Sequence, residues 1–156
     1  MLCLSLVSEA SIKMLDEDER PELYPSLISF ANMLGTVDAN PHLLALVFLA
    51  KTMKIAGFLP EINECVKCGA KEDIIAFSFN DGGLVCRKCA DENTKKDLTP
   101  NQMKLLRVVF LAPNFAFTVN DALSKDDMVV LLLKFKEFIN DTIGVELENI
   151  SLLCNL

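Results

Sequence analysis

The sequence predicts a mainly α-helical domain with an inserted zinc-ribbon β-hairpin that carries four cysteines. Apolar residues recur at helical spacing through most of the chain. A turn sequence, Asn-Asp-Gly-Gly at 80–83, stands between two short runs of strand-forming residues. Two C-x-x-C pairs lie on either side of that predicted hairpin. We therefore expect one helical domain over 1–156, with the ribbon at 62–92 inserted within it.

Composition supports a folded chain with one sizeable core. Of the 156 residues, 51% are hydrophobic and 24% are charged, and the mean hydropathy is +0.33. A chain of this length can bury one good core. The apolar fraction is high for a small globular domain, so we expect a partner or a further domain to cover part of the surface.

The distribution of charge argues against strong nucleic-acid binding by this chain alone. The net charge is −7, with −5 in residues 1–50, +2 in residues 51–107 and −4 in residues 108–156. DNA is bound mainly by Lys and Arg that neutralise phosphates. Only the middle third could make such a contact, and it also suits another anionic partner.

The sequence contains no recognisable membrane-spanning or secretion signal, so we expect a cytoplasmic protein with no membrane contact. No apolar run reaches the roughly 18–20 residues that a spanning helix requires. The first residues, MLCLSLVSEAS, lack a basic segment, and Glu9 interrupts their apolar run, which argues against a secretion signal.

Three helices are predicted before the cysteines. The first covers Leu2–Leu15, and the second follows the prolines at 21 and 25. Its expected core stripe consists of Leu27, Ile28, Ala31 and Leu34, with Gly35 as its C-terminal cap. The third helix begins at Asn40-Pro41, a cap followed by proline, and runs to about Ala56 before Gly57. Its broad apolar face predicts a central position in the core.

A hairpin and two further helices follow. Strands are expected at 74–79 and 84–86. Thr99-Pro100-Asn101-Gln102 has the pattern of a capping box, which opens a helix that should end at Pro113. The last predicted helix covers Ser124–Ile143, with two aspartates near its N-terminus and Gly144 beyond its end.

The cysteine spacing predicts a structural metal site. Seventeen residues separate the two C-x-x-C pairs, which matches the spacing of zinc ribbons. Two intervening residues let one tight turn aim both sulfurs at one ion, and Gly69 permits the positive φ that such a turn often needs. Four thiolates complete the tetrahedral shell of Zn2+ and leave no place for a catalytic water. The expected ligands are Cys65, Cys68, Cys86 and Cys89.

Other chemistries of these cysteines fit less well. Two disulfides require an oxidising compartment, and a thioredoxin-like C-x-x-C requires a βαβ context that is missing here. An iron–sulfur cluster also uses four thiolates, but the intervening hairpin favours zinc. Cys3 and Cys154 lie in apolar segments, where ordinary buried thiols are expected. His42 begins an apolar helix, where an ordinary core or surface histidine is expected. No catalytic motif is found, so we expect no enzymatic activity and no catalytic residues.

The order of motifs resembles the RecO family of recombination mediators in bacteria. Phe48-x-x-Lys51, followed by the segment 57–69 (GFLPEINECVKCG), is similar to the entry to the RecO zinc finger. Segment 82–89 (GGLVCRKC) resembles its second half, and Leu98-Thr99-Pro100 with Leu105-Leu106-Arg107 resembles the helix that follows. The resemblance covers roughly 5–145.

The resemblance implies a role in DNA repair and recombination without catalysis. RecO proteins join an N-terminal OB-fold, which binds single-stranded DNA, to a helical domain with a zinc finger, and this chain looks like the second part alone. The implied partners are RecR and the C-terminal tail of single-strand-binding protein, which is acidic and ends in a hydrophobic residue. The implied work is to help load recombinase and to promote annealing.

A site for that tail would need an apolar pocket bordered by cations. The candidate residues are Lys51, Lys54, Lys104 and Arg107, with Phe48 and Leu105 as pocket walls. Only Lys51 stands at a motif position; the others follow from charge and spacing. The sequence departs from the family at Leu49, often Glu, and in the acidic segment 145–148, where the family is basic.

Two alternatives from other classes stay open. The first is a zinc-ribbon adaptor of transcription or ribosome assembly, which should bind neither RecR nor the tail. The second is a thiol redox enzyme, whose cysteines would react with a mild alkylating agent without prior removal of a metal.

Overall fold

The computed structural model describes residues 1–36, 39–112 and 124–156. They divide into two compact units, one formed by Met1–Phe58 with Val108–Leu156 and one formed by Leu59–Arg107. Helices dominate the first unit, and a two-stranded hairpin lies in the second. The predicted fold class, helical with a cysteine-bearing hairpin, is confirmed, while the limits 1–156 and 62–92 stay a prediction.

Six α-helices are present in the described ranges. Their bounds are α1 Leu2–Lys13, α2 Tyr24–Leu34, α3 Pro41–Ile55, α4 Pro100–Leu111, α5 Lys125–Ile143 and α6 Glu148–Cys154. A short 3-10 turn, Arg20–Leu23, precedes α2. Across these ranges, none of the helices has both the length and the apolarity needed to cross a membrane. The predicted end of α4 at Pro113 lies outside the described residues.

Helix α3 is the centre of the first unit. It packs against α1, α2 and α5, and every residue from His42 to Ala50 is buried. The Asn40 side chain accepts hydrogen bonds from the backbone N–H groups of His42 and Leu43, as expected for an N-cap. Over His42–Ala50 the helix has no solvated face, which accounts for the absence of polar periodicity in this segment.

The predicted core face of α2 is only partly correct. Phe30 is buried and its ring lies 5.6 Å from that of Phe48, whereas Ile28 is 55% exposed and Ala31 is also exposed. The other two predicted residues, Leu27 and Leu34, are half-buried. The inward face therefore centres on Phe30, whose large aromatic surface gains more from burial than a smaller side chain does.

Helix α6 was not predicted, and its N-terminus is capped from α1. The Glu9 carboxylate accepts hydrogen bonds from the backbone N–H groups of Glu148 and Asn149, both at 3.0 Å, and from the Asn149 side chain at 2.8 Å. Lys13 donates to the same carboxylate and to the Glu146 carbonyl oxygen. Glu9 therefore ties α6 to α1 by satisfying donors that a helix N-terminus leaves free.

The second unit is built on an antiparallel hairpin. Strand β1 covers Ile74–Ser78 and strand β2 covers Gly83–Cys86, as predicted, with a bulge near the start of β1. Beyond β2, Glu61 exchanges backbone hydrogen bonds with Gly82 and Leu84, and beyond β1, Asp97 bonds to Phe77 and Phe79. A Cβ atom at Gly83 would collide with the Glu61 backbone, so only glycine allows this close approach.

The predicted caps of α4 and α5 are confirmed. The Thr99 N–H donates to Gln102 Oε1 and the Gln102 N–H donates to Thr99 Oγ1, which is a complete capping box. Ser124 accepts from the Asp127 N–H, and Gly144 ends α5 with a φ of 70°. Gly35, by contrast, follows α2 with an ordinary helical φ of −80°.

We predict that Glu9→Gln loosens α6. Burial raises the pKa of Glu9, but hydrogen bonds from Lys13, Asn149 and the α6 backbone outweigh burial and lower it to about 2, against 4.5 ordinarily. A lowered pKa stabilises the fold fully above about pH 4.5, and this contribution is lost as pH falls towards 2. Glu9→Gln should lower the free energy of unfolding by about 2–3 kcal/mol at pH 7.

Chemical denaturation of both proteins between pH 2 and 7 measures this difference. Glu137→Gln is the matched control, since Glu137 pairs with Lys134 at an exposed site where about 0–1 kcal/mol is expected. A difference for Glu9→Gln that stays constant down to pH 2 would contradict the assignment.

Candidate metal centre

The hairpin brings the two cysteine pairs to one point. Cys65 and Cys68 lie in the loop before β1, Cys86 is the last residue of β2, and Cys89 follows in the next turn. The four sulfurs lie within 4.8 Å of one another. Because the strands are antiparallel, the start of β1 and the end of β2 are neighbours, and Ile74 pairs with Cys86. The predicted grouping of these four side chains is therefore present.

Each C-x-x-C pair forms a closed turn. The Gly69 N–H donates to the Cys65 carbonyl, the Cys65 N–H donates to the Ala70 carbonyl, and Gly69 has a φ of 73°, as expected. In the second pair, the N–H groups of Cys89 and Ala90 both donate to the Cys86 carbonyl. These turns place the sulfurs on one side, where a single ion could bind all four.

The distances between the sulfurs fit one tetrahedral ion. Four sulfurs at about 2.3 Å from a zinc ion stand about 3.8 Å apart. The Cys68 and Cys86 sulfurs are separated by 3.7 Å. All six cysteines are free thiols, so no disulfide competes for these atoms. The cluster has the dimensions of a four-thiolate metal site.

Charge also favours a cation at this point. Burial raises the pKa of Cys65, but backbone N–H groups that donate to its sulfur, from Cys86 and from the turn itself, lower it to about 6. The pKa of Cys89 is raised to about 12 by its hydrogen bond with Cys68, by burial and by the other thiols. One thiolate thus forms readily, and its charge opposes the next. A divalent ion removes that opposition.

The four cysteines differ in exposure. Cys65 and Cys86 are each 2% exposed, Cys89 is intermediate, and Cys68 is exposed. Beside Cys68, Lys67 bonds to the Asp81 carboxylate at 3.2 Å and to the Cys89 carbonyl at 3.5 Å. Lys67 therefore joins the first turn to the hairpin turn and to the second cysteine pair.

Cys3, Cys154 and His42 lie apart from the four-cysteine cluster and are buried or partly buried. Cys3 is buried and Cys154 partly buried, and burial raises the pKa of both thiols. His42 is buried in α3, and burial, followed by the charge of Lys125, lowers its pKa. None of the three belongs to a group of metal-binding side chains within the described residues.

Three of the six predicted peptide-binding residues lie on α3. Phe48 is fully buried against Phe30, and Lys54 is exposed. Lys51 is half-buried, and its ammonium donates to the Ala112 carbonyl, just beyond α4, at 3.0 Å. Burial, followed by the charge of Lys54, lowers the pKa of Lys51. Lys51 thus has a structural contact in addition to its predicted role.

The other three lie on the part of α4 that belongs to the second unit. Leu105 is fully buried, while Lys104 and Arg107 are exposed. A common site for all six residues stays a prediction.

A cleft of about 280 Å³ lies within the second unit and contains Lys104 and Arg107. Every charged side chain that lines it is positive, and the third is Lys71. Its main apolar lining comes from Ile62, Ile74, Leu84, Pro100, Met103 and Leu106. Sequence reasoning missed Lys71 and this lining, because their proximity depends on how the cysteine loop folds against the start of α4.

We predict that Lys51→Met destabilises the first unit by about 1 kcal/mol. The substitution keeps the aliphatic stem but removes a hydrogen bond to a partly buried carbonyl. Lys54→Met, one turn later on an exposed face, should change stability by less than about 0.5 kcal/mol. Urea unfolding followed by helical circular dichroism compares the two, and equal effects would show that the bond to Ala112 contributes nothing.

Comparison with models of protein families shows which family the chain belongs to. The family model described as "Recombination protein O C terminal" matches residues 1–124, which is most of the chain. The chain belongs to this family. The match ends before α5, so α5 and α6 lie beyond it. The predicted RecO resemblance is confirmed.

Curated RecO relatives extend over more sequence than this chain. The DNA repair protein RecO of Halalkalibacterium halodurans is 26% identical over 109 residues, which are 69% of this chain and 42% of that protein. RecO of Bacillus pumilus is 27% identical over 140 residues, covering 80% and 54%. RecO of Syntrophomonas wolfei is 36% identical over 70 residues, covering 45% and 28%. The chain spans about half the length, or less, of these relatives.

Proposed function

We propose that this RecO-family chain is a non-catalytic binding module of DNA repair and homologous recombination, organised by one structural zinc ion. The observation that carries the proposal is the four-sulfur cluster, which sits on the hairpin of a chain whose relatives are named DNA repair proteins. The module would help load recombinase and promote annealing by holding other proteins.

Zinc suits the cluster better than iron. A cluster of several irons places its own atoms between the ligand sulfurs and so spreads them apart, whereas these sulfurs lie within 4.8 Å of one another. Four thiolates in tetrahedral geometry are a usual ligand set of structural Zn2+. Reduced thiols of this kind persist in the cytoplasm, which is the proposed location.

We propose a non-catalytic role because four cysteines would fill the coordination shell of the zinc ion. Catalytic zinc keeps one position for water or substrate, and four cysteines occupy all positions. The ion then contributes folding energy to the second unit, whose hairpin has two short strands.

The cleft of the second unit supports binding of an acidic peptide. An apolar lining suits a hydrophobic terminal side chain, and Lys71, Lys104 and Arg107 suit carboxylates. The tail of single-strand-binding protein has this chemistry, and it is the first proposed partner. RecR is the second. Contact with single-stranded DNA is assigned mainly to the OB-fold of longer RecO proteins.

We predict one zinc ion per chain. Elemental analysis of protein produced with adequate zinc should find it, and Cys86→Ser should reduce it at least tenfold because three ligands no longer close the shell. Cys154→Ser is the matched control and should retain all the zinc, since Cys154 lies outside the cluster. Protein without metal, or with the absorbance of an iron–sulfur cluster, would contradict the proposal.

We predict that the tail peptide binds and that Arg107→Ala weakens this binding several-fold, by loss of a charge-assisted contact. Lys95→Ala is the matched control, because Lys95 is exposed in the same unit but does not line the cleft. Fluorescence anisotropy with labelled peptide measures both.

Equal affinities of Arg107→Ala and Lys95→Ala would place the peptide elsewhere. Failure to bind either the tail or RecR would favour the adaptor of transcription or ribosome assembly.

A further inference from the structure

The four cysteines are unequal in a way that a purely structural metal site does not require. Cys65 and Cys86 are buried to 2% exposure, Cys89 is intermediate, and Cys68 alone among the four is exposed. Reagents in solution therefore meet the cluster first at Cys68. The Cys68 sulfur also has a buried neighbour, since the Cys86 sulfur lies 3.7 Å away.

We propose that Cys68 is an oxidation site for hydrogen peroxide, and that its oxidation forms a disulfide with Cys86 and releases the metal. The inference rests on the proposed zinc site. An exposed cysteine beside a buried one is the arrangement that separates an attacked thiol from a resolving thiol. Cys86 is shielded from peroxide in solution but can reach an oxidised Cys68 directly.

The chemistry consists of two displacements. The Cys68 thiolate attacks one peroxide oxygen; an S–O bond forms, the O–O bond breaks, and hydroxide leaves. The Cys86 thiolate then attacks the Cys68 sulfur; the S–S bond forms, the S–O bond breaks, and a second hydroxide leaves. Two electrons pass from the two thiolates to one peroxide, and solvent protons convert both hydroxides to water.

Proximity permits this disulfide, and the burial of Cys86 distinguishes it from Cys89, which is less buried and is also hydrogen-bonded to Cys68. The disulfide would also explain the loss of metal. A disulfide requires the sulfurs to approach from 3.7 Å to about 2.05 Å. The turns that carry them are already adjacent, because the Cys86 N–H donates to Cys65 Sγ within the same cluster. A bonded pair of sulfurs no longer supplies two thiolates, so the ion keeps two of four ligands and dissociates.

The sequence makes the product easy to identify. Trypsin cleaves after Lys67, Lys71, Arg87 and Lys88, which places each of the four cysteines on a separate peptide. A disulfide within the cluster therefore appears as two linked peptides whose masses name the pair.

The test treats zinc-loaded protein with hydrogen peroxide in the presence of a chromogenic zinc chelator. We expect one zinc released per disulfide formed, with early products in which the Cys68–Cys86 link exceeds any other link at least fivefold. A reducing dithiol with added zinc should restore the metal. Predominance of another pair, or oxidation of only Cys3 and Cys154 with zinc retained, would overturn the proposal.

Two variants separate reactivity at Cys68 from general fragility of the cluster. Cys68→His and Cys89→His should each keep one zinc, because three cysteines and one histidine also form structural sites. Release by peroxide should slow at least tenfold in Cys68→His and stay within about twofold in Cys89→His. Equal slowing of both would refute the role of Cys68. Starting protein without zinc would instead refute the proposed function.

Discussion

Four sulfur atoms meet at one end of the two-stranded hairpin, although Cys65 and Cys86 are twenty-one positions apart in the chain. Thiolates repel one another, and the charge of Cys65 is one of the causes that raise the pKa of Cys89. A divalent cation bound between the four sulfurs attracts each thiolate and so offsets that repulsion. The close grouping of the two cysteine turns at the end of the hairpin is therefore the arrangement that such an ion stabilises.

The first unit depends on a different constraint. Its central helix α3 is buried along an unbroken run from His42 to Ala50, so its stability comes from apolar packing. The excess of acidic over basic side chains lies outside the second unit, which itself carries equal numbers of acidic and basic residues. The positive charge of the cleft therefore comes from the few side chains that line it, and the net charge of the chain, −7, has the opposite sign.

Sequence patterns predicted those features that depend on residues close together in the chain. The Asn40 cap, the Thr99 capping box and the turn at 80–83 each place their partners within a few positions, and all appear in the structure. The grouping of the four cysteines spans a longer stretch, but the spacing of two C-x-x-C pairs is itself a metal-site pattern. Prediction failed where partners are distant. The cap of α6 is Glu9, 139 positions from Glu148, and Lys51 bonds to Ala112, 61 positions away. In α2 every face offers apolar residues, so spacing alone could not identify Phe30 as the buried one.

Hydrogen bonds from Glu61 on one side of the hairpin and from Asp97 on the other have a consequence for solubility. A bare strand margin is a template on which foreign strands polymerise. Here loops of the same chain form hydrogen bonds with backbone groups at both edges of the hairpin. These bonds oppose the addition of further strands to this small sheet.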